Sequence, residues 1–369
     1  MNENDKLRNM MSTAASKRIK NYSPSTEPAL PSTQSGVLSV PLVLNSDDDD
    51  IEYNADGSGL ASQQAVERKL PPDLAGLRID LALARMFPDW SRSRLQAWVE
   101  AGRVSINSQP VLPKQKVWLG DTVSVHPMPA AEDLAFVPEA MELPIVFEDD
   151  SIIVVNKPAG LVVHPGSGNW NGTLLNGLLH HAPALARVPR AGIVHRLDKD
   201  TTGLMVVAKT LEAQTDLVRQ LQARSVRRIY LALVHGRVER EGEVDMPIGR
   251  DPRDRTRMAT LHGGKPALTR YRVLHHYEDA TLLECRLETG RTHQIRVHMH
   301  ALHHALVGDP VYRGRHAGSA AGAARALSTF ARQALHATQL SFVHSRTRQT
   351  VSFEAPVPQD MQDLLDAVQ

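Results

Sequence analysis

The sequence predicts an α+β protein of two folded units, a small module of helices and short strands ahead of a larger domain built on a mixed sheet. Three observations predict this. Between Leu77 and Val125, helical apolar spacing gives way to short strand-like runs within about fifty residues. From Ile145 onward, strand-like runs such as SIIVVNKP, GLMVVAKT, YLALVHG and LLECRLET are interleaved with helical stretches such as LEAQTDLVRQLQ, the pattern of one mixed α/β layer arrangement. Residues 1 to about 70, by contrast, are rich in Ser, Pro, Asn and Asp, include the acidic run Asp47 to Asp50, and show neither period. They are expected to form a disordered tail.

In the small module, residues 71 to 126, the first helix is read with Leu77, Leu81 and Ala84 inward and Arg78 and Arg85 outward, stopped by Pro88. Ser91 is the expected N-cap of a second helix ending near Gly102. Strands follow at Val104 to Asn107 and Thr122 to Val125. A unit of this size buries little core by itself, so tethering to a larger domain is sensible. Residues 127 to 143, with Pro127, Pro129 and Pro138, read as a linker of little structure, flexible enough to let two surfaces engage one partner. The larger domain then spans 144 to 369.

Composition narrows the functional classes. The formal net charge is +1, but the first 70 residues hold 7 basic and 10 acidic side chains, so the remainder carries an excess of four positive charges. That permits a nucleic-acid partner without demanding one. A single cysteine, Cys285, excludes an internal disulfide or a cysteine-rich zinc site and reads as a core residue. The first thirty residues lack the apolar block of a signal peptide and no apolar run is long enough to cross a bilayer, so a cytoplasmic protein without membrane contact is expected. No glycine-rich phosphate loop is present: PGSGNWNG is not followed by Lys-Ser or Lys-Thr.

The run that carries chemistry is GIVHRLDKDTTGLMVVAKT, residues 192 to 210, where a polar cluster is set directly before a buried strand. Such a loop at a sheet's edge is where a rigid scaffold usually carries a site. Asp198 and Asp200 are candidate nucleophiles or bases, His195 a candidate acid or base, and Arg196 and Lys199 candidate phosphate contacts. Taken alone, the same residues equally describe a turn capped by Asp and Thr side chains. In the small module, Arg92, Arg94, Lys114 and Lys116 gather cations near a helix start, which suits a phosphate backbone and equally suits a solvated basic face.

Family resemblance separates these alternatives. HRLDxxTxGL resembles the active-site signature of the RluA-type pseudouridine synthases, and VNKPAGLVVHPG (155–166), RRIYLALVHG (227–236), LETGRTHQIRVHM (287–299) and QALHATQLSFVH (333–344) are similar to that family in the same order. The module with SRxxLQ, GxVxxN and a late GD pair resembles the S4 RNA-binding domain. The resemblance implies a pseudouridine synthase fold and the isomerisation of uridines in large-subunit (23S) ribosomal RNA, within a stem-loop, with no cofactor. It implies Asp198 as the catalytic carboxylate, Tyr230 packed on the target base, Arg296 paired with the aspartate, and Arg196 intruding into the RNA as the uridine is extruded. With it come Arg92, Arg94 and Lys114 as RNA contacts, ribosomal RNA or a pre-50S particle as partner, and a monomer.

Five histidines between His293 and His304 invite a metal reading, but no acid lies between His300 and His304 as in a metalloprotease helix, and no HxE with CxxC accompanies them. No metal is expected. Ala305 stands where the family wording has Pro after the histidine, which leaves the local loop shape open. Two rivals from other classes remain: an RNA-binding protein with a degenerate synthase domain, which would have lost Asp198 first, and a metal-dependent hydrolase. Residues 315 to 330 are expected to include a mobile loop.

Overall fold

The computed structural model describes residues 65–127, 135–166, 168–313 and 323–369. The described residues divide into two compact units, one ending at Val137 and the other beginning at Pro138. The bulk of the expected tail, 1–64, and the heart of the expected mobile loop, 314–322, lie outside the described residues.

In the small unit, β1 (Val66–Lys69), α1 (Ile79–Met86), α2 (Arg92–Glu100), β2 (Val104–Ile106), β3 (Gln109–Pro110) and β4 (Thr122–Val125) follow in order. The four strands make one sheet in the order β1-β4-β2-β3. Strand β1 corrects the expected boundary at residue 70. Its VERK sequence is almost wholly exposed, so no apolar alternation announced it, and pairing with β4 from Val66–Val125 to Lys69–Thr122 supplies its order. Helix α1 also differs in phase from the reading: Ile79, Ala82, Leu83 and Met86 are buried, whereas Leu81 is exposed. The 3,4-spaced set beginning at Ile79 lies on one face, and Leu77 precedes the helix. Ser91 caps α2 as expected, its Oγ accepting from the Arg94 amide at 3.3 Å.

The larger unit begins before β5. Residues 139–143 belong to it, contrary to the expectation of an unstructured linker up to 143. The Glu139 amide donates to the Asn176 carbonyl (3.0 Å), the Glu139 carboxylate accepts from the Gly172 amide (2.7 Å), and Leu143 packs on the main core. Gly177 makes room for this: a Cβ there would lie 2.5 Å from Met141.

Strands β5 (Ile145–Glu148) and β6 (Ile152–Lys157) lead to α3 (Leu174–His181), β7 (Thr202–Ala208), α4 (Leu211–Gln222) and β8 (Arg227–His235). After β9 (Gly242–Asp245) comes a two-stranded ribbon, β10 (Ile248–Arg250) with β11 (Met258–Thr260). The chain continues through β12 (Leu268–His276), β13 (Ala280–Leu287), α5 (Gln294–Ala301), α6 (Ala323–Thr329), β14 (Leu335–Val343), β15 (Thr350–Glu354) and α7 (Gln359–Ala367). Nine strands form one mixed sheet, β5-β6-β7-β14-β8-β13-β12-β9 with β15 paired to β14. Among the described residues, only β7 and β14 run parallel. The expected strands at 151–158, 203–210, 230–236 and 282–289 all fall in it, and α4 coincides with LEAQTDLVRQLQ.

Alternation along β6 shows how both faces are filled. Ile153 and Val155 join one core with α3, Tyr230 and Cys285; Ile152 and Val154 join another with α4, Phe342 and Phe353. Helix α7 covers a third cluster through Met361, Leu364 and Leu365. Cys285 is fully buried, and desolvation pushes its thiol up to about 12, an inert core residue as read. The loop around Ala305 is ordered by β8: the His235 amide donates to the Ala305 carbonyl (2.9 Å), and His304 Nδ1 bonds the His235 carbonyl (3.0 Å).

Candidate active site

The segment from Val194 to Thr201 enters β7 at the middle of the sheet, and main-chain atoms hold it. Leu197 is buried in the core and the Thr201 amide donates to the Asp198 carbonyl (3.0 Å), closing a turn that turns the Leu197 and Asp198 side chains to different surroundings. Lys157, at the end of β6, is buried and donates from Nζ to the carbonyls of Pro158, Leu161 and Lys199 at 2.7 to 2.8 Å. Burial pulls its pKa down to about 7, against the pull of Asp200 and Asp198. Arg332 Nη1 donates to the next carbonyl, Asp200 (3.2 Å), while its Nε and Nη2 grip Asp360 of α7. Two cations therefore hold consecutive main-chain oxygens behind Asp198.

His195, a candidate acid or base in the sequence, has a structural task. Its Nε2 accepts from the Val206 amide at 3.1 Å, and burial, assisted by Arg228, lowers its pKa to about 3. Its ring is neutral and committed to the sheet.

Asp198 meets Arg296 as the sequence leads one to expect: Arg296 Nη1 donates to Asp198 Oδ2 at 2.9 Å. Arg296 comes from α5, whose first turn is reached through His293 in the left-handed conformation (φ 57°). The other edge of the guanidinium is held by Asp309, a residue outside the predicted group. Nε donates to Asp309 Oδ2 (2.7 Å) and Nη2 to Asp309 Oδ1 (3.0 Å), a two-point fork on a fully buried carboxylate. Asp309 Oδ1 also accepts from the amides of Val311 and Tyr312, both at 2.9 Å. Burial would raise the Asp309 carboxyl, but Arg296 and these amides hold it below the usual carboxylate range. Burial would likewise push Arg296 down, and Asp309 and Asp198 together hold it above its ordinary value. The Tyr312 ring lies under the guanidinium at 5.1 Å, and its hydroxyl bonds His293 Nδ1 and the Met258 amide, both at 2.9 Å. His293 Nε2 stands 3.9 Å from Asp198 Oδ1. Burial keeps its pKa below the ordinary value against the pull of Asp198.

Tyr230 projects from β8, between Cys285 of β13 and Ala337 of β14 in register. It is 5% exposed and lines the same cavity as Asp198 and Arg296. Burial raises its hydroxyl pKa, opposed by Arg228 and reinforced by Asp198, so the phenol is protonated at neutral pH. The cavity, about 360 Å³, opens past exposed Arg196 and is also lined by Arg190, Arg224, Arg228 and Arg291. Of the predicted group, the structure thus brings Asp198, Tyr230, Arg296 and Arg196 together.

Arg92, Arg94 and Lys114 lie in the small unit. Arg92 and Arg78 converge on the buried carboxylate of Asp80 at 2.8 and 3.0 Å while both stay about half exposed. Arg94 is half-buried, its guanidinium 5.4 Å from the Trp98 ring, and Lys114 is exposed. The clustered histidines are built into the packing: His298 Nδ1 bonds Thr269 Oγ1 and its Nε2 the Met246 carbonyl. Among the described residues no group of His, Cys, Asp or Glu is placed to hold a metal.

Sequence reasoning missed Asp309, Tyr312, Lys157 and Arg332. Asp309 had one legible signal: an acid inside the apolar run VGDPVY must find a partner if that run is buried.

Comparison with known proteins identifies the family. Residues 151–301 match the family model described as RNA pseudouridylate synthase, and residues 77–123 match the S4 domain. The chain is 55% identical over 330 residues to ribosomal large subunit pseudouridine synthase D of Nitrosomonas europaea, covering 88% of this chain and 95% of that protein. It is 54% identical to the protein of that name from Neisseria meningitidis serogroup B, covering 87% of each. With the Escherichia coli K12 protein it shares 52% identity over 79% of this chain and 91% of the relative. This chain therefore belongs to the RNA pseudouridylate synthase family, with an S4 domain preceding its synthase domain.

Proposed function

We propose that the protein converts specific uridines to pseudouridine in large-subunit ribosomal RNA, at a stem-loop, with Asp198 as the catalytic carboxylate and no cofactor. The observation that carries this is the ion pair of Asp198 with Arg296 at 2.9 Å inside the cavity that Tyr230 also lines. The names of its relatives, which are large-subunit enzymes, support the choice of RNA.

The reaction is an isomerisation. The C1′–N1 bond breaks, the uracil turns in place, C1′ bonds to C5, and the proton on C5 is replaced by one on N1, so atoms and electrons balance within the nucleotide. It needs a carboxylate fixed beside the sugar and base, as nucleophile or as proton acceptor. Arg296, immobilised by Asp309, fixes that carboxylate's orientation. Tyr230 offers a flat apolar face for the extruded base and a protonated hydroxyl for a proton transfer. Arg196, exposed at the mouth, supplies the planar group that takes the vacated place in the RNA stack. Arg92, Arg94 and Lys114 of the S4 unit contact the RNA backbone. The protein acts as a monomer in the cytoplasm, on free rRNA or a pre-50S particle; among the described residues no helix is long and apolar enough to cross a membrane.

The test uses purified protein without added cofactor and a large-subunit rRNA stem-loop transcript, with pseudouridine mapped chemically by primer extension. Wild type converts the uridine; Asp198→Asn binds the RNA and leaves it unmodified. Bound but unmodified RNA with the wild type, or full activity in Asp198→Asn, refutes the reading.

A further inference from the structure

Arg228 is a cation in the cavity wall that neither the ion-pair network nor the chemistry above uses. It precedes Tyr230 by two residues on β8 and therefore projects from the same face of the sheet. It is 7% exposed, and its Nε is buried without a hydrogen-bond partner. Of the two carboxylates lining this cavity, Asp198 pairs with Arg296 at 2.9 Å, and Glu288, whose charge reaches Arg228 only in part against its burial, pairs directly with Arg270 and Arg286 at 3.4 and 3.3 Å. Gly290 gives the guanidinium its space, since a Cβ at 290 would lie 2.7 Å from Arg228 Nη1. The wall around it is cationic, with Arg190, Arg196, Arg224 and Arg291 also lining the cavity.

A guanidinium stays charged, and burying it without an anion is costly unless a ligand brings one. The anion that an RNA strand offers is a phosphodiester. We propose that Arg228 binds a phosphodiester adjoining the extruded nucleotide, with Gly290 holding the slot open, so that the strand is fixed on one side of the base by Arg228 while Tyr230 receives the base. This rests on the functional reading above and adds to it a specific phosphate site. A neutral uracil oxygen would satisfy a hydrogen bond at the same place but would leave the charge uncompensated, which favours the phosphate.

Binding measurements on a synthetic stem-loop test this. Single neutral methylphosphonate linkages are placed on either side of the modified uridine, or of each loop uridine in turn if none is modified. For the wild type, one such linkage is expected to weaken binding about tenfold. Arg228→Gln weakens binding of unsubstituted RNA by a similar factor, makes the salt dependence shallower by about 0.7 in log–log slope, and shows no further loss with that linkage. Arg228→Lys recovers part of the affinity. Gly290→Ala keeps the charge but displaces the guanidinium, so it weakens binding and lowers coupling to the same linkage; it carries the test should Arg228→Gln fail to fold. Equal losses from the neutral linkage in wild type and both variants, an unchanged salt slope, or coupling of Arg228 to a 4-thio substitution on the base instead of the linkage would each overturn the proposal. Pseudouridine formation by the wild type is read separately: its absence refutes the functional reading, whereas failed coupling with conversion intact refutes only the role of Arg228.

Discussion

Arg296 carries two carboxylates at once, and the division of labour between them follows from burial. The Asp309 side chain is fully buried and holds two nitrogens along one edge of the guanidinium; Asp198 is 18% exposed and takes the remaining nitrogen. Replacing Arg296 by Lys removes the planar fork, so one ammonium cannot satisfy both acids. Asp309→Asn is expected to reduce stability by about 3 kcal/mol, as expected for one partner lost from a buried pair. It is also expected to lower the single-turnover rate of pseudouridine formation about a hundredfold by loosening Arg296, with RNA affinity changed little. Denaturant titration and single-turnover assays would show this; an unchanged rate would remove Asp309 from the positioning of the site. The motifs made Asp198, Tyr230 and Arg296 legible as residues. They did not make Asp309 or the Tyr312 ring under Arg296 legible, because these partners come from a loop beyond α5 and only folding brings them together.

At the level of elements, strands with continuous β-branched runs were easy to read, since burial on both faces of β6 and β7 leaves no polar alternation to confuse the pattern. Helix α4 was equally legible from its single apolar stripe. What escaped was order imposed by neighbours: β1, an exposed edge strand, and the segment 139–143, fastened through Glu139 and Met141 to α3. The phase of α1 escaped for a related reason, as Leu81 is apolar but exposed, while Leu77 packs on the core from ahead of the helix. The close approach of β7 to β14 depends on Gly203, whose φ is 117° and where a Cβ would stand 2.2 Å from the Ala337 carbonyl. Gly203→Ala must push these parallel strands apart and is expected to cost about 3 kcal/mol or more in stability, read by thermal unfolding. A variant as stable as wild type would mean that the sheet can relax at this point without loss.

For the whole molecule, the two-unit organisation was visible in composition and spacing, although its exact seams were not. Deleting residues 65–127 is expected to weaken rRNA binding and flatten its salt dependence, if Arg92, Arg94 and Lys114 supply phosphate contacts. Titrations at two salt concentrations that match the full chain would remove that role from the S4 unit. Stability should also depend on pH through buried neutral histidines. His195 and His336 have pKa values lowered by burial to about 3 and about 4. Between those values and the ordinary 6.5 the unfolded chain binds more protons than the native one, so their contribution is complete above about pH 6.5 and is lost as pH falls. Each costs about 1.4 kcal/mol per pH unit in that window. Melting temperatures from pH 8 to 5 should therefore drop below pH 6.5, and the drop should lessen in a stable His336→Asn variant; a flat profile would contradict the neutral-histidine account.

The grip of Lys157 and Arg332 on the carbonyls of Lys199 and Asp200 has a consequence for inheritance. A loop clasped through its main chain keeps its course whichever side chain it displays at Lys199, so that position is free to drift while the two clasping cations are not. Lys199, exposed and held through its carbonyl, is where random mutagenesis should leave the most survivors, and positions 157 and 332, neither of which lines the cavity, the fewest.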